Sequence, residues 1–107
     1  MLKFAVVLSK RPDLSAEQFL KYFREIHGPM AERLPGLKKY VQNYVVDDPK
    51  RQPPGWHAIA ELYFDDWETM EQAWASPEGM TATADLEAFA DLIRTTWAVV
   101  EEAVIIE

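Results

Sequence analysis

Residues 19–46 read FLKYFREIHGPMAERLPGLKKYVQNYVV, and their order decides the fold. Phe19, Phe23 and Ile26 stand at i, i+4 and i+7, the spacing of one helix face. Gly28-Pro29 breaks or kinks that helix. Met30 to Leu34 suits one further turn, and Leu34-Pro35-Gly36 ends it. Residues 38–46, KKYVQNYVV, then read as a strand.

Upstream, residues 2–9 form a β-rich apolar run that stops before Pro12, which has no N–H to give a ladder. Ser15 with Gln18 three residues later predicts a capping box at the helix start. Downstream, Asp47 to Gly55 holds three prolines and reads as a loop. Residues 56–64, WHAIAELYF, predict the next strand. Asp66 is placed to cap a helix carrying Trp67, Met70 and Trp74, with Trp67 and Trp74 expected in the core. Ser76-Pro77 restarts that helix, with Ser as N-cap and Pro at the first helical position. Met80, Ala84, Phe89 and Ile93 continue an apolar face, and residues 95–106 give a last strand.

The order is β-α-β-β-α-β, with the second helix in two pieces. It is the pattern of a ferredoxin-like α+β fold with a four-stranded antiparallel sheet. A chain of 107 residues suits one domain, residues 1–107. Two helices cover only one sheet face, so the other must meet water or a partner. Trp56, Ala58, Ala60, Leu62 and Phe64 make one apolar face of the third strand, while His57, Ile59, Glu61 and Tyr63 make the other. On the second strand Tyr40, Gln42 and Tyr44 alternate with Val41, Asn43 and Val45. Mixed aromatic and polar lining suits a small-molecule cavity. An open face of this kind also favours pairing with a second copy, so a homodimer is expected.

The composition narrows the function. Hydrophobic residues make up 49% of the chain, enough for a core. The formal net charge of −7 repels phosphate backbones and acidic bilayers, so neither nucleic acid nor membrane is expected as a partner. With no cysteine there is no disulfide, thiolate metal site or cysteine nucleophile. The two histidines have no metal-ligand spacing, so no metal is expected. There is no glycine-rich phosphate loop, and Ser9, Ser15 and Ser76 sit in no nucleophile motif. The apolar run from Phe4 to Ser9 is too short for a signal peptide or a membrane span, and a cytoplasmic location is the default expectation.

Residues 1–46 resemble the EthD-like family of the dimeric α+β barrel superfamily. The features that carry the resemblance are His27-Gly28-Pro29 after an amphipathic helix, Leu34-Pro35-Gly36-Leu37, and Tyr40-Val41-Gln42-Asn43. That family includes isomerases of methylmuconolactone, polyketide cyclases or dehydratases, and proteins encoded beside ether-degrading oxidation systems. The wider superfamily includes cofactor-free monooxygenases and haem-degrading enzymes. The resemblance implies a dimeric α+β barrel, a small hydrophobic or aromatic substrate, and cofactor-free proton transfer by an isomerase or lyase. It does not imply one reaction.

His27 is the sharpest catalytic candidate, because a histidine titrates near neutrality and this one stands at a helix end. The structural alternative is a side chain that only caps the last carbonyls. Histidine and tyrosine line the pocket in the lactone isomerases that this chain resembles, and His27, Tyr40 and His57 are the matching catalytic candidates. Tyr40 would donate to a carbonyl or developing enolate, against the commoner use of a strand tyrosine in packing. His57 has an exposed loop edge as its alternative. Glu61 lies about 13 Å along the strand from His57, too far to orient it. Asn43, Glu61 and Tyr63 are the substrate-binding candidates, and Glu61 is equally suited to pair with Lys3. Tyr40 and Asn43, three apart on one strand, point to opposite faces. Two other functions stay open: a non-catalytic carrier of a small apolar compound, and a cofactor-free or haem-dependent monooxygenase.

Overall fold

The computed structural model describes residues 1–107. Strand β1 spans Leu2–Leu8, β2 Lys39–Tyr44, β3 Ala58–Phe64 and β4 Thr96–Glu101. They form one antiparallel sheet in the order β2-β3-β1-β4. Helices α1 (Ala16–Tyr22), α2 (Gly28–Ala31), α3 (Trp67–Ala75) and α4 (Pro77–Asp85) all lie against one face. This is the ferredoxin-like α+β arrangement. No helix is long and apolar enough to cross a membrane.

Local chemistry accounts for the helix ends. Ser15 and Gln18 close a reciprocal capping box on α1. Asp66 accepts from the Thr69 N–H at the start of α3. Ser76 breaks the second helix in two: its hydroxyl donates to Ala73 O and accepts from the Gly79 N–H, ending α3 and starting α4. Gly36 turns the chain from α2 into β2 at φ 78°, and a Cβ there would lie 2.3 Å from Thr69 Cγ2.

Under the helices, Phe4, Val6 and Leu8 of β1 join Ala58, Ala60, Leu62 and Phe64 of β3. Phe19, Phe23, Met70 and Phe89 close over them. Register places Tyr40, Gln42 and Tyr44 opposite Leu62, Ala60 and Ala58, so these three β2 side chains also face the helices. Trp97 and Val99 of β4 pair with Val6 and Phe4 and share that face.

Several expected positions fall elsewhere. Ile26 is exposed, and His27 takes the inner position instead. The cause is a π-helical turn over Phe23–His27, in which the Gly28 N–H reaches back to Phe23 O. An α-helical step of four residues overshoots a full turn by about 40°. The wider turn cancels that drift, so Phe19, Phe23 and His27 stack down one line. Trp67 is exposed rather than core, because it opens α3 on the solvent side while Met70 and Ala73 turn inward. Met80 and Ile93 are exposed as well. The third strand starts at Ala58, not Trp56, and β4 stops at Glu101 because Leu2, its last ladder partner, begins β1.

Candidate active site

A cavity of about 750 Å³ lies between the helix-side sheet face and the helices. That size suits a drug-sized organic molecule. Its walls are almost wholly apolar, with Phe4, Leu62, Met70, Trp74 and Val99 among them. The exposed lining residues Met80, Thr83 and Trp97 mark an opening between α4 and β4, where no helix covers the sheet edge. Four polar side chains interrupt the apolar wall: Glu71 and Thr83 at exposed positions, and His27 and Tyr40 deeper in.

His27 is buried, stacked near Phe23 and Phe89. Its Nδ1 lies 3.0 Å from Asp85 Oδ2, at the end of α4. The other carboxylate oxygen, Oδ1, accepts from the Tyr22 hydroxyl at 2.7 Å. A carboxylate oxygen accepts, so the tautomer that makes this bond carries its proton on Nδ1 and holds a free lone pair on Nε2. Nε2 has no protein partner, and no buried side-chain nitrogen or oxygen goes unpartnered, so Nε2 opens to the cavity. Burial pushes the His27 pKa below its usual value, and Asp85 offsets part of that effect. The imidazole is therefore neutral near pH 7, oriented by a carboxylate and available as a base.

Tyr40 is held by Gln42. The Gln42 amide nitrogen donates to Phe23 O at 3.0 Å and to the Tyr40 hydroxyl at 2.8 Å. Phe23 O is a carbonyl of the π turn and can only accept, which fixes the amide orientation. Gln42 Oε1 in turn accepts from the Tyr44 hydroxyl at 2.6 Å. Both amide hydrogens are thus used, and the Tyr40 oxygen is an acceptor. Its own O–H proton has no protein acceptor and is left for the cavity. Burial pushes the Tyr40 pKa up to about 12, so the hydroxyl stays protonated and remains a donor. Gly28 sits under this amide: a Cβ there would come within 3.2 Å of Gln42 Nε2. The glycine after His27 and the glutamine of β2 therefore pack as one unit.

The fold thus brings His27 and Tyr40 to one cavity and sends the other four candidates elsewhere. His57 precedes β3, edge-on to Phe19, and its Nδ1 accepts the Lys10 N–H at 3.1 Å. Asn43, Glu61 and Tyr63 lie on the opposite sheet face. There Lys3 binds Glu61 and Glu102, Asn43 donates to Glu61 at 2.9 Å, and Tyr63 donates to Glu102 at 2.9 Å. These contacts hold the Glu61 pKa low, through Lys3 first and Asn43 second. The mixed face read as cavity lining is therefore a closed polar network on the open side of the sheet. Asp85, Tyr22 and Gln42 are the site residues that the sequence reading missed. The alternation of Tyr40, Gln42 and Tyr44 was a visible signal for Gln42. Asp85 gave none, because its partner lies 58 residues away.

The family model described as EthD domain matches residues 11–93. An uncharacterized 11.0 kDa protein of Rhodococcus erythropolis, from the thcB-thcC intergenic region, is 32% identical over 90 residues, 84% of each chain. An ethyl tert-butyl ether D (EthD) family protein of Bacillus halodurans C-125 superposes with TM-score 0.80 at 25% identity, over 96% of this chain and 100% of that one. A dimeric ferredoxin-like protein of unknown function from Bacteroides fragilis gives TM-score 0.68 at 17% identity, over 94% and 95%. SnoaB, a cofactor-independent oxygenase of Streptomyces nogalater, gives 0.66 at 13%, over 97% and 96%.

Proposed function

The chain belongs to the EthD domain family, and on that premise we propose that it is an enzyme of cofactor-free proton transfer, of the lactone isomerase, cyclase or dehydratase type. One observation carries the reading. A lone pair on His27 and a proton on Tyr40 are both left over, and both belong to the lining of one apolar cavity.

The chemistry follows from those two leftovers. His27 Nε2 removes a proton from a carbon beside a carbonyl. The C–H electron pair moves into the carbon–carbon bond, and the carbonyl electrons move onto oxygen. Tyr40 donates its O–H to that oxygen as charge develops. Asp85 steadies the imidazolium that forms, as a buried carboxylate does beside a catalytic histidine. The imidazolium then returns the proton to a different carbon, which is isomerisation, or to a departing hydroxyl, which is dehydration.

Incubation with 2-tetralone in D₂O tests the reading by NMR. Protein-dependent deuteration of its acidic carbon is the expected result, and exchange no faster than buffer counts against it. Oxygenation shares the first step, since the carbanion that His27 makes is also what O₂ attacks. The fold likeness to SnoaB keeps that second reading open. Protein-dependent oxygen uptake in the same assay selects it. The reading also includes a homodimer with open sheet faces together, supported by the half-buried Val7, Val41 and Ile59 around the Lys3 network and by the dimeric description of the Bacteroides fragilis protein.

A further inference from the structure

We infer that the cavity takes an uncharged aromatic ketone or phenol and rejects carboxylates. The inference rests on the proposed function for the ketone and on the lining for the charge. None of the eleven lysines and arginines lines the cavity. Lys3, Arg11, Lys38, Arg51 and Arg94 are paired with carboxylates on the outer surface or the open sheet face. The ionisable groups of the lining are His27, Tyr40 and Glu71. Glu71 is an exposed acid, which repels an anion.

A carboxylate drawn in among Phe4, Trp74 and Leu62 would lose its water and meet no cation. His27 could offset it only as an imidazolium, and Asp85 already occupies the proton side of that ring. A neutral carbonyl or phenol has no such difficulty. Its oxygen meets the Tyr40 proton, and its rings meet Trp74, Phe23 and Phe4. The chain's net charge of −7 adds a repulsion of longer range. Within the proposed reaction class, this points to neutral ketone and phenol intermediates and away from lactones that bear a free carboxylate.

Two probes of one ring skeleton test it: 2-acetylnaphthalene and 2-naphthoate, titrated against the wild-type protein at pH 7.5 by calorimetry. The ketone should bind, and the naphthoate should bind at least ~10²-fold more weakly. Thr83→Arg, at an exposed lining position on α4, should narrow the ketone's advantage over the naphthoate about tenfold. Naphthoate binding within tenfold of the ketone overturns the inference, and so does failure of both probes to bind. A neutral preference without deuterium exchange would spare this inference and sink the catalytic reading. Exchange without a charge preference would do the reverse.

Discussion

The two faces of this sheet carry similar polar side chains and treat them differently. On the open face, Lys3, Asn43, Glu61, Tyr63 and Glu102 answer one another. Lys3 has two carboxylates, and those carboxylates take further donors from Asn43 and Tyr63. On the helix face, Asp85 and Gln42 are also fully engaged, yet each leaves its partner half-used. His27 keeps a lone pair and Tyr40 keeps a proton. A saturated network gives rigidity and specificity of association. An unsaturated one, inside an apolar cavity, gives a place for chemistry. The residue types alone do not separate the two faces; the pairing does.

The sharpest way to break this comparison is His27→Ala. Loss of a working base lowers turnover about 10²–10⁴-fold, read as deuterium exchange into 2-tetralone, with the circular-dichroism spectrum and sedimentation unchanged. Asp85→Asn comes next, with a loss of about 10²-fold. It leaves His27 buried but no longer fixes its tautomer. Tyr40→Phe should cost about tenfold, because one hydrogen bond to the developing oxyanion is lost. Lys3→Met, on the other face, should leave exchange within twofold of wild type. Its effect belongs in stability and self-association: a loss on the order of 1 kcal/mol, or about 4–8 °C in Tm, as Glu61 is left without its cation. An exchange defect in Lys3→Met as large as that of Tyr40→Phe would erase the distinction.

Acid should separate the faces too. Burial lowers the His27 pKa, so the unfolded chain takes up this proton first. Stability from the cavity side is full above the unfolded value of 6.5 and declines as pH falls through the lowered folded value. Glu61 is held low by Lys3, so its contribution is full above 4.5 and is lost as pH falls through the folded value. A Tm profile against pH should therefore show an upper limb that His27→Ala removes and a lower limb that Glu61→Gln removes.

Much of the fold was legible in the sequence because its signals are local. The capping box at Ser15, the Asp66 cap and the Ser76-Pro77 restart are each written within four residues. Strand alternation also sorted Tyr40 and Asn43 onto opposite faces. It did not say which of two mixed faces the helices cover, and so Glu61 and Tyr63 were read toward the cavity. Ile26 reads inward only on α-helical spacing carried on from Phe19 and Phe23, whereas the backbone widens into a π turn over Phe23–His27. Gln42 reaches the Phe23 carbonyl of that turn from another element, a contact that local spacing does not announce. His27 was legible as a residue type at a helix end. Its partner Asp85 was not, since only the packing of α4 brings it there.

The histidine tautomers test the account most directly. Nitrogen-15 NMR of the two imidazoles at pH 7.5 reads which ring nitrogen carries the proton. His27 should show Nδ1 protonated, toward Asp85, and Nε2 bare. His57 should show the opposite, Nδ1 bare where it accepts from Lys10 N–H and Nε2 protonated. Added 2-acetylnaphthalene should shift the His27 Nε2 signal and leave His57 unmoved. A His27 that is protonated at Nε2, or that is charged at this pH, would contradict the claim that the cavity holds a free base.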